Sequence, residues 1–216
     1  AQGTMWDQAE ASLNEYRGKV NDGLTSALIN DYTTLAQTAD SLVASTTSNG
    51  SAVIVSDFNE YWSNYLSICQ AAEDAGTNIT VCINSFEERI TNVSTACLNG
   101  LHQCVQDLVE PVVTYISDAS TGLVQRYLDT VYQNEKSVLT CGPLNDTCLN
   151  YPVYVLAQAN ARVQSQIAND LARDVGQFGM YESQLSSCAA KYTSINHGQG
   201  NSYVEGFKSC VDAQPK

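Results

Sequence analysis

Charge is scarce in this sequence. Asp, Glu, Lys and Arg make up only 15% of its 216 residues, against roughly a quarter in an average soluble domain. Cations are the scarcest: 10 Lys+Arg stand against 23 Asp+Glu, a formal net charge of -13. So few basic groups cannot neutralise a row of phosphates, which argues against nucleic acid and anionic membrane surfaces as partners. Four prolines and 13 glycines are too few for a collagen-like or low-complexity chain. No apolar run approaches the ~20 residues of a transmembrane helix, no stretch alternates with the period of a strand, and no solenoid-type repeat is present.

Cysteine, in contrast, is plentiful. The eight are Cys69, Cys82, Cys97, Cys104, Cys141, Cys148, Cys188 and Cys210. An even number at wide spacing reads as four disulfides in an oxidising compartment, and the close thiolate pairs that a zinc site needs are missing. Four N-glycosylation triplets agree: Asn49-Gly50-Ser51, Asn78-Ile79-Thr80, Asn92-Val93-Ser94 and Asn145-Asp146-Thr147. The chain opens at Ala1 rather than Met, and a secreted, extracellular chain freed of its signal peptide is the expectation.

Apolar residues recur at steps of three and four, the helical period. The first series is Leu13, Tyr16, Val20, Leu24, Leu28, Tyr32, Leu35, Ala39 and Leu42, ended by the Ser/Thr run 45–48 and Asn49-Gly50. A second carries Ile54, Phe58, Tyr61, Trp62, Tyr65, Cys69 and Ala72 and stops near Gly76; a third runs from Ile83 to Leu108. Pro111 either kinks the third helix or opens a fourth, which continues through Val113, Ile116, Leu123, Tyr127, Val131 and Val138. After the loop Cys141–Cys148, a fifth series extends from Leu156 to Ile195, including Val175, Phe178 and Tyr181. The polar, Gly-rich stretch Asn196–Asn201 reads as a turn before a short closing piece with Tyr203, Phe207 and Cys210. The predicted fold is all-α: an elongated antiparallel bundle of about five long helices stapled by four disulfides, with residues 1–50 as an N-terminal helix packed on a stapled bundle of residues 51–216.

Helical geometry restricts the pairing of the cysteines. Cys97 and Cys104 lie about 10.5 Å apart along one helix, beyond the reach of a disulfide. Cys141 and Cys148 flank a loop that folds back, and Cys69 and Cys82 flank the turn near Gly76. That leaves Cys97 and Cys104 for Cys188 and Cys210, with the order open. The rival closes the C-terminal turn with Cys188–Cys210.

The stretch Tyr65-Leu66-Ser67-Ile68-Cys69, then Cys82-Ile83-Asn84-Ser85-Phe86-Glu87-Glu88-Arg89-Ile90, then Cys97 through Cys104, Cys141, Cys148 and a long helix to Cys188, resembles the tsetse EP-type domain family over about residues 53–210. The resemblance implies a secreted, cysteine-rich helical insect protein, of a family with several members from the gut. It implies no catalytic residues.

Motifs for chemistry are missing as well. There is no nucleophile elbow, zinc-protease pair, P-loop or EF-hand loop. The two histidines, His102 and His197, read as surface residues, and Glu87-Glu88 as a solvated helix face, since helix neighbours diverge by about 100°. No catalytic residue, metal or cofactor is expected. Aromatics offer more: Tyr supplies 12 residues against four Phe and two Trp. Phe58, Tyr61, Trp62 and Tyr65 share one helix face, and with Phe178 and Tyr181 they are the candidates to line a ligand cavity; ordinary core packing is the competing reading. The expected function is a secreted, glycosylated, non-enzymatic binding module carrying a lipid or other small apolar or amphipathic ligand between helices. The alternative is an extracellular structural or protein-interaction component, such as a gut-lumen or secretion protein, without a small ligand. An internal cavity above ~300 Å3 would favour carriage; a solid core with an apolar surface patch would favour a protein partner.

Overall fold

The computed structural model describes residues 4–216, and every regular element among them is helical. α1 (Thr4–Ser26) and α2 (Thr33–Asp74) form one run joined by a π-helical segment, Ala27–Tyr32; α3 is Thr80–Cys141 and α4 is Asp146–Asp212. The chain is therefore three long helical runs rather than about five helices. It divides into two compact units, Ala1–Ala39 with Val112–Met180 and Asp40–Pro111 with Tyr181–Lys216. Each unit is a bundle of three helical segments, and Gly50 lies inside α2.

Two polar, glycine-containing stretches that read as turns are helix crossings instead. At Gly50 a Cβ would lie 2.7 Å from a Leu101 methyl, so the missing side chain lets α2 approach α3 and α4 closely. In the stretch 196–201, Gly200 faces the ring of Tyr61, which an added methyl would overlap. Beside it, Asn196 is fully buried, with both its side-chain oxygen and its side-chain nitrogen hydrogen-bonded. Its Oδ1 accepts from Tyr61 Oη at 3.1 Å and Ser94 Oγ at 2.8 Å, while its Nδ2 donates to the Ile54 carbonyl at 3.1 Å. A buried amide must be satisfied in this way or it costs about 1–3 kcal/mol. α3 also runs on through Pro111, where the division between the units falls.

The two turns between runs have ordinary signals. Gly76 adopts φ +68° and ends α2 with Gly76 N–H to Glu73 O and Thr77 N–H to Ala72 O, a Schellman pattern. Asn78 then accepts from the Thr80 N–H, and Asn145 accepts from the Cys148 N–H, as N-cap side chains do. Between them Gly142, at φ +74°, ends α3.

In the first unit, the π-helical turn shifts the buried series by one residue. Leu24, Ala27, Tyr32 and Leu35 are buried, whereas Leu28 is exposed, contrary to the uniform spacing. The wider turn inserts an extra residue and brings Tyr32 inward, where its hydroxyl donates to Asp174 at 2.6 Å. Asp174 accordingly occupies the buried position expected of Val175, and Val112 takes that of Val113.

Gly200→Ala should destabilise the protein by about 1–3 kcal/mol through overpacking against Tyr61. Gly18→Ala, in an exposed stretch of α1 with nothing near the added methyl, should stabilise by about 0.5–1 kcal/mol. Equilibrium urea unfolding of both variants checks the opposite signs.

Candidate functional site

Three disulfides are formed. Cys82–Cys210 and Cys104–Cys188 join α3 to α4, each with Cα atoms 5.8 Å apart, and Cys141–Cys148 closes the α3–α4 loop at 5.4 Å. The loop bridge and the Cys104–Cys188 link agree with the spacing. The expected Cys69–Cys82 bridge does not form, nor does any bond to Cys97: both Cys69 and Cys97 are free thiols. The reason is the continuity of α4. With no turn at 196–201, Cys188 and Cys210 stand about 33 Å apart on one helix, so they cannot pair with each other or serve two cysteines only two turns apart on α3. Cys210 meets the fully buried Cys82 instead.

One signal for this pairing was present. Cys82 to Cys104 and Cys188 to Cys210 are both 22-residue steps, equal on antiparallel helices, and 22 residues return a helix to nearly the same face. The pairing register of α3 and α4 also places Phe86 against Gly206 and Tyr192 against Gly100.

The expected cavity residues of α2 fill space rather than line it. Phe58 and Trp62 stack with centroids 5.8 Å apart, Trp62 and Tyr65 at 4.6 Å, and Tyr65 meets Phe207 at 4.6 Å. Tyr61 is fully buried, its hydroxyl shared with Ser94 at 2.7 Å. Phe178 is buried in the first unit and Tyr181 half-buried in the second. His102, Glu87 and Glu88 are exposed; His197, also exposed, has Nδ1 3.6 Å from Asp57 Oδ2. All four sequon asparagines, Asn49, Asn78, Asn92 and Asn145, are exposed, but only Asn78 and Asn145 lie at helix starts.

The most built polar feature is a cleft in the first unit, about 500 Å3, lined by Tyr16 of α1, Arg126, Tyr127 and Thr130 of α3, and Gln166, Asn169, Asp170 and Arg173 of α4. The α4 residues follow the spacing of one helix face. Asp170 is its centre. Its Oδ2 accepts from Arg126 Nη1 at 2.6 Å and Tyr127 Oη at 2.7 Å, and its Oδ1 lies 3.2 Å from Arg173 Nη2. Burial opposes the charge on Asp170, but the Tyr127 and Arg126 hydrogen bonds and the two guanidiniums outweigh it and hold the carboxyl below its ordinary range. Burial, and then the hydrogen bond and charge of Asp170, push the Tyr127 phenol up, against a smaller opposite effect of Arg126. A depressed carboxyl contributes stability that is present at neutral pH and lost as pH falls through its folded-state value. Sequence reasoning passed over this cleft because its members are spread over three segments and match no motif.

Among the described residues there is no group of His, Cys, Asp and Glu side chains able to hold a metal, and no helix is long and apolar enough to cross a membrane. No protein family, curated protein or solved structure matches the chain.

Alkylation separates the two thiols. Native protein should label at Cys69, which is half-buried, while Cys97, buried and with its thiol pushed up by that burial, should label only after unfolding. Peptide mapping without reduction that found no labelled cysteine, or labelled cysteines at the bridged positions, would contradict the three-bridge pairing.

Proposed function

We propose that the chain is a secreted, N-glycosylated, non-enzymatic module that acts by binding another protein through its first unit. One observation carries this reading: Leu128, Tyr132 and Leu139 of α3 are 54, 58 and 62% exposed, and their spacing keeps them within about 40° on one helix face. Other large apolar side chains are exposed too, among them Ile29, Val113 and Tyr151, but three aligned on one helix face form a continuous strip of the kind that a protein partner covers. Glu135 stands in the same row, paired with Arg17 of α1 at 2.5 Å, and adds a polar contact of the kind found at interface rims.

Three cystines support an oxidising compartment. Asn78 and Asn145 support glycosylation, since each uses Oδ1 for its helix cap and leaves Nδ2 for a sugar. The resemblance of the cysteine pattern to the tsetse EP-type family points the same way. The non-enzymatic reading rests on the sequence, which carries no catalytic motif. Carriage of an apolar ligand among Phe58, Tyr61, Trp62 and Tyr65 is less well supported, because those rings would have to part from one another and from Phe207.

Native mass spectrometry of the glycoprotein from its own extracellular fluid tests the proposal. A complex with a protein should be observed, and it should be lost from the Leu128→Asp/Tyr132→Asp double variant while the thermal midpoint changes little. A mass equal to the glycosylated chain plus a lipid-sized molecule would contradict it in favour of carriage.

A further inference from the structure

The cleft around Asp170 has a composition that packing alone does not explain. The chain has only 10 Lys+Arg, yet two of them, Arg126 and Arg173, face one cleft in the first unit. Both guanidiniums are about half-exposed, whereas the carboxylate between them is only 16% exposed. Among the described residues Asp170 is the only side chain that either guanidinium is paired with. Each guanidinium has five donors in a planar fork; Asp170 takes Nη1 of one and Nη2 of the other. The carboxylate is already engaged on both oxygens, Oδ2 accepting from Arg126 and Tyr127 and Oδ1 ion-paired with Arg173. It therefore fixes the two forks in place without using them up.

The charge balance is equally specific. Two guanidiniums and one carboxylate leave a net charge of about +1 in the cleft at neutral pH. A monoanion neutralises that charge; a phosphate dianion overshoots it in a chain whose surroundings are already acidic. The rest of the lining is neutral and rich in hydrogen-bonding groups: the Thr130 hydroxyl and the amides of Gln166 and Asn169, all at exposed positions, with Tyr16 and Tyr127 buried behind them. The volume of about 500 Å3 falls in the range of small-molecule sites.

We propose that this cleft binds a small monoanionic polyol, an acidic sugar of the uronate type. The carboxylate pairs with the free donors of Arg126 and Arg173, in the bidentate manner that guanidinium favours. The sugar hydroxyls donate to Thr130 Oγ1, whose own proton goes to the Arg126 carbonyl at 2.9 Å, and exchange hydrogen bonds with the amides of Gln166 and Asn169. This site does not depend on the apolar row of α3, and loss of the protein complex would leave it intact.

Titration of the isotope-labelled full chain with sodium glucuronate, followed by NMR, tests the proposal. Saturable shifts are expected at the side-chain amides of Gln166 and Asn169 and at the Nε–H groups of Arg126 and Arg173. Arg173→Gln, which loses one ion pair three residues along its own helix and leaves the Arg126 and Tyr127 bonds to Asp170 in place, should weaken binding at least about tenfold with the rest of the spectrum unchanged. If that variant fails to fold, Asn169→Ala serves in its place and should weaken binding severalfold. Glucose should give no saturable shift, and glucose 6-phosphate should bind no more tightly than glucuronate. No saturation by about 10 mM, equal binding of glucose, tighter binding of the phosphate, or an unchanged curve for the substituted protein would each overturn the assignment.

Discussion

Close approach of helix backbones around one buried amide organises the second unit. Asn196 joins three segments at once, through Tyr61 and Ile54 of α2 and Ser94 of α3. Hydrogen bonds of that kind require side chains within about 3 Å, and the glycines make room for it: Gly200 for the ring of Tyr61, Gly100 for that of Tyr192, and Gly50 for Leu101. Apolar clusters lie on either side, one around Tyr65, Ile90 and Phe207 and the other around Ile54, Leu101 and Leu185. Because the amide is satisfied in only one arrangement of the three segments, it selects a register that apolar stripes alone leave loose. The two α3–α4 disulfides then fall on that register, 22 residues apart on both helices.

Much of this was legible in the residues. The helical period identified the fold class, and Tyr16, Val20, Ile54, Tyr61, Leu123, Leu156 and Ile167 are buried where the period put them. Cys141–Cys148 followed from its short loop. What misled the reading was a genuine ambiguity: Asn-Gly and Asn-His-Gly-Gln-Gly-Asn are turn formers, but small residues and a buried amide are also what a tight helix crossing requires. The two meanings differ only in what lies opposite, and a single strand of sequence does not contain that. A turn at 196–201 puts Cys188 and Cys210 on different helices and leads to the wrong partner for Cys210, whereas the surplus helices come from taking Asn49-Gly50 and Pro111 as breaks.

The first unit depends less on close backbone approach and more on polar pairs. The π-helical turn brings the Tyr32 hydroxyl to Asp174, the Tyr115 hydroxyl donates to the Asp174 carbonyl at 2.6 Å, and one turn away Asp170 collects Tyr127, Arg126 and Arg173. Both features that bear on function lie here, the apolar row of α3 and the cationic cleft. Neither was visible as a motif, since each is an arrangement of ordinary surface residues made meaningful by what the fold places next to them.

Amide hydrogen exchange on the native, oxidised protein tests most directly whether the glycine-containing stretches are helix crossings. Residues 45–50 and 196–201 should exchange slowly, protected to the same degree as the helical segments on either side of them, because opening 196–201 breaks the Asn196 network and opening 45–50 parts Gly50 from Leu101. Rapid exchange at 196–201, comparable with that of the Gly76 and Gly142 turns, would show a break in α4 and would contradict the three-run fold and the disulfide register that follows from it.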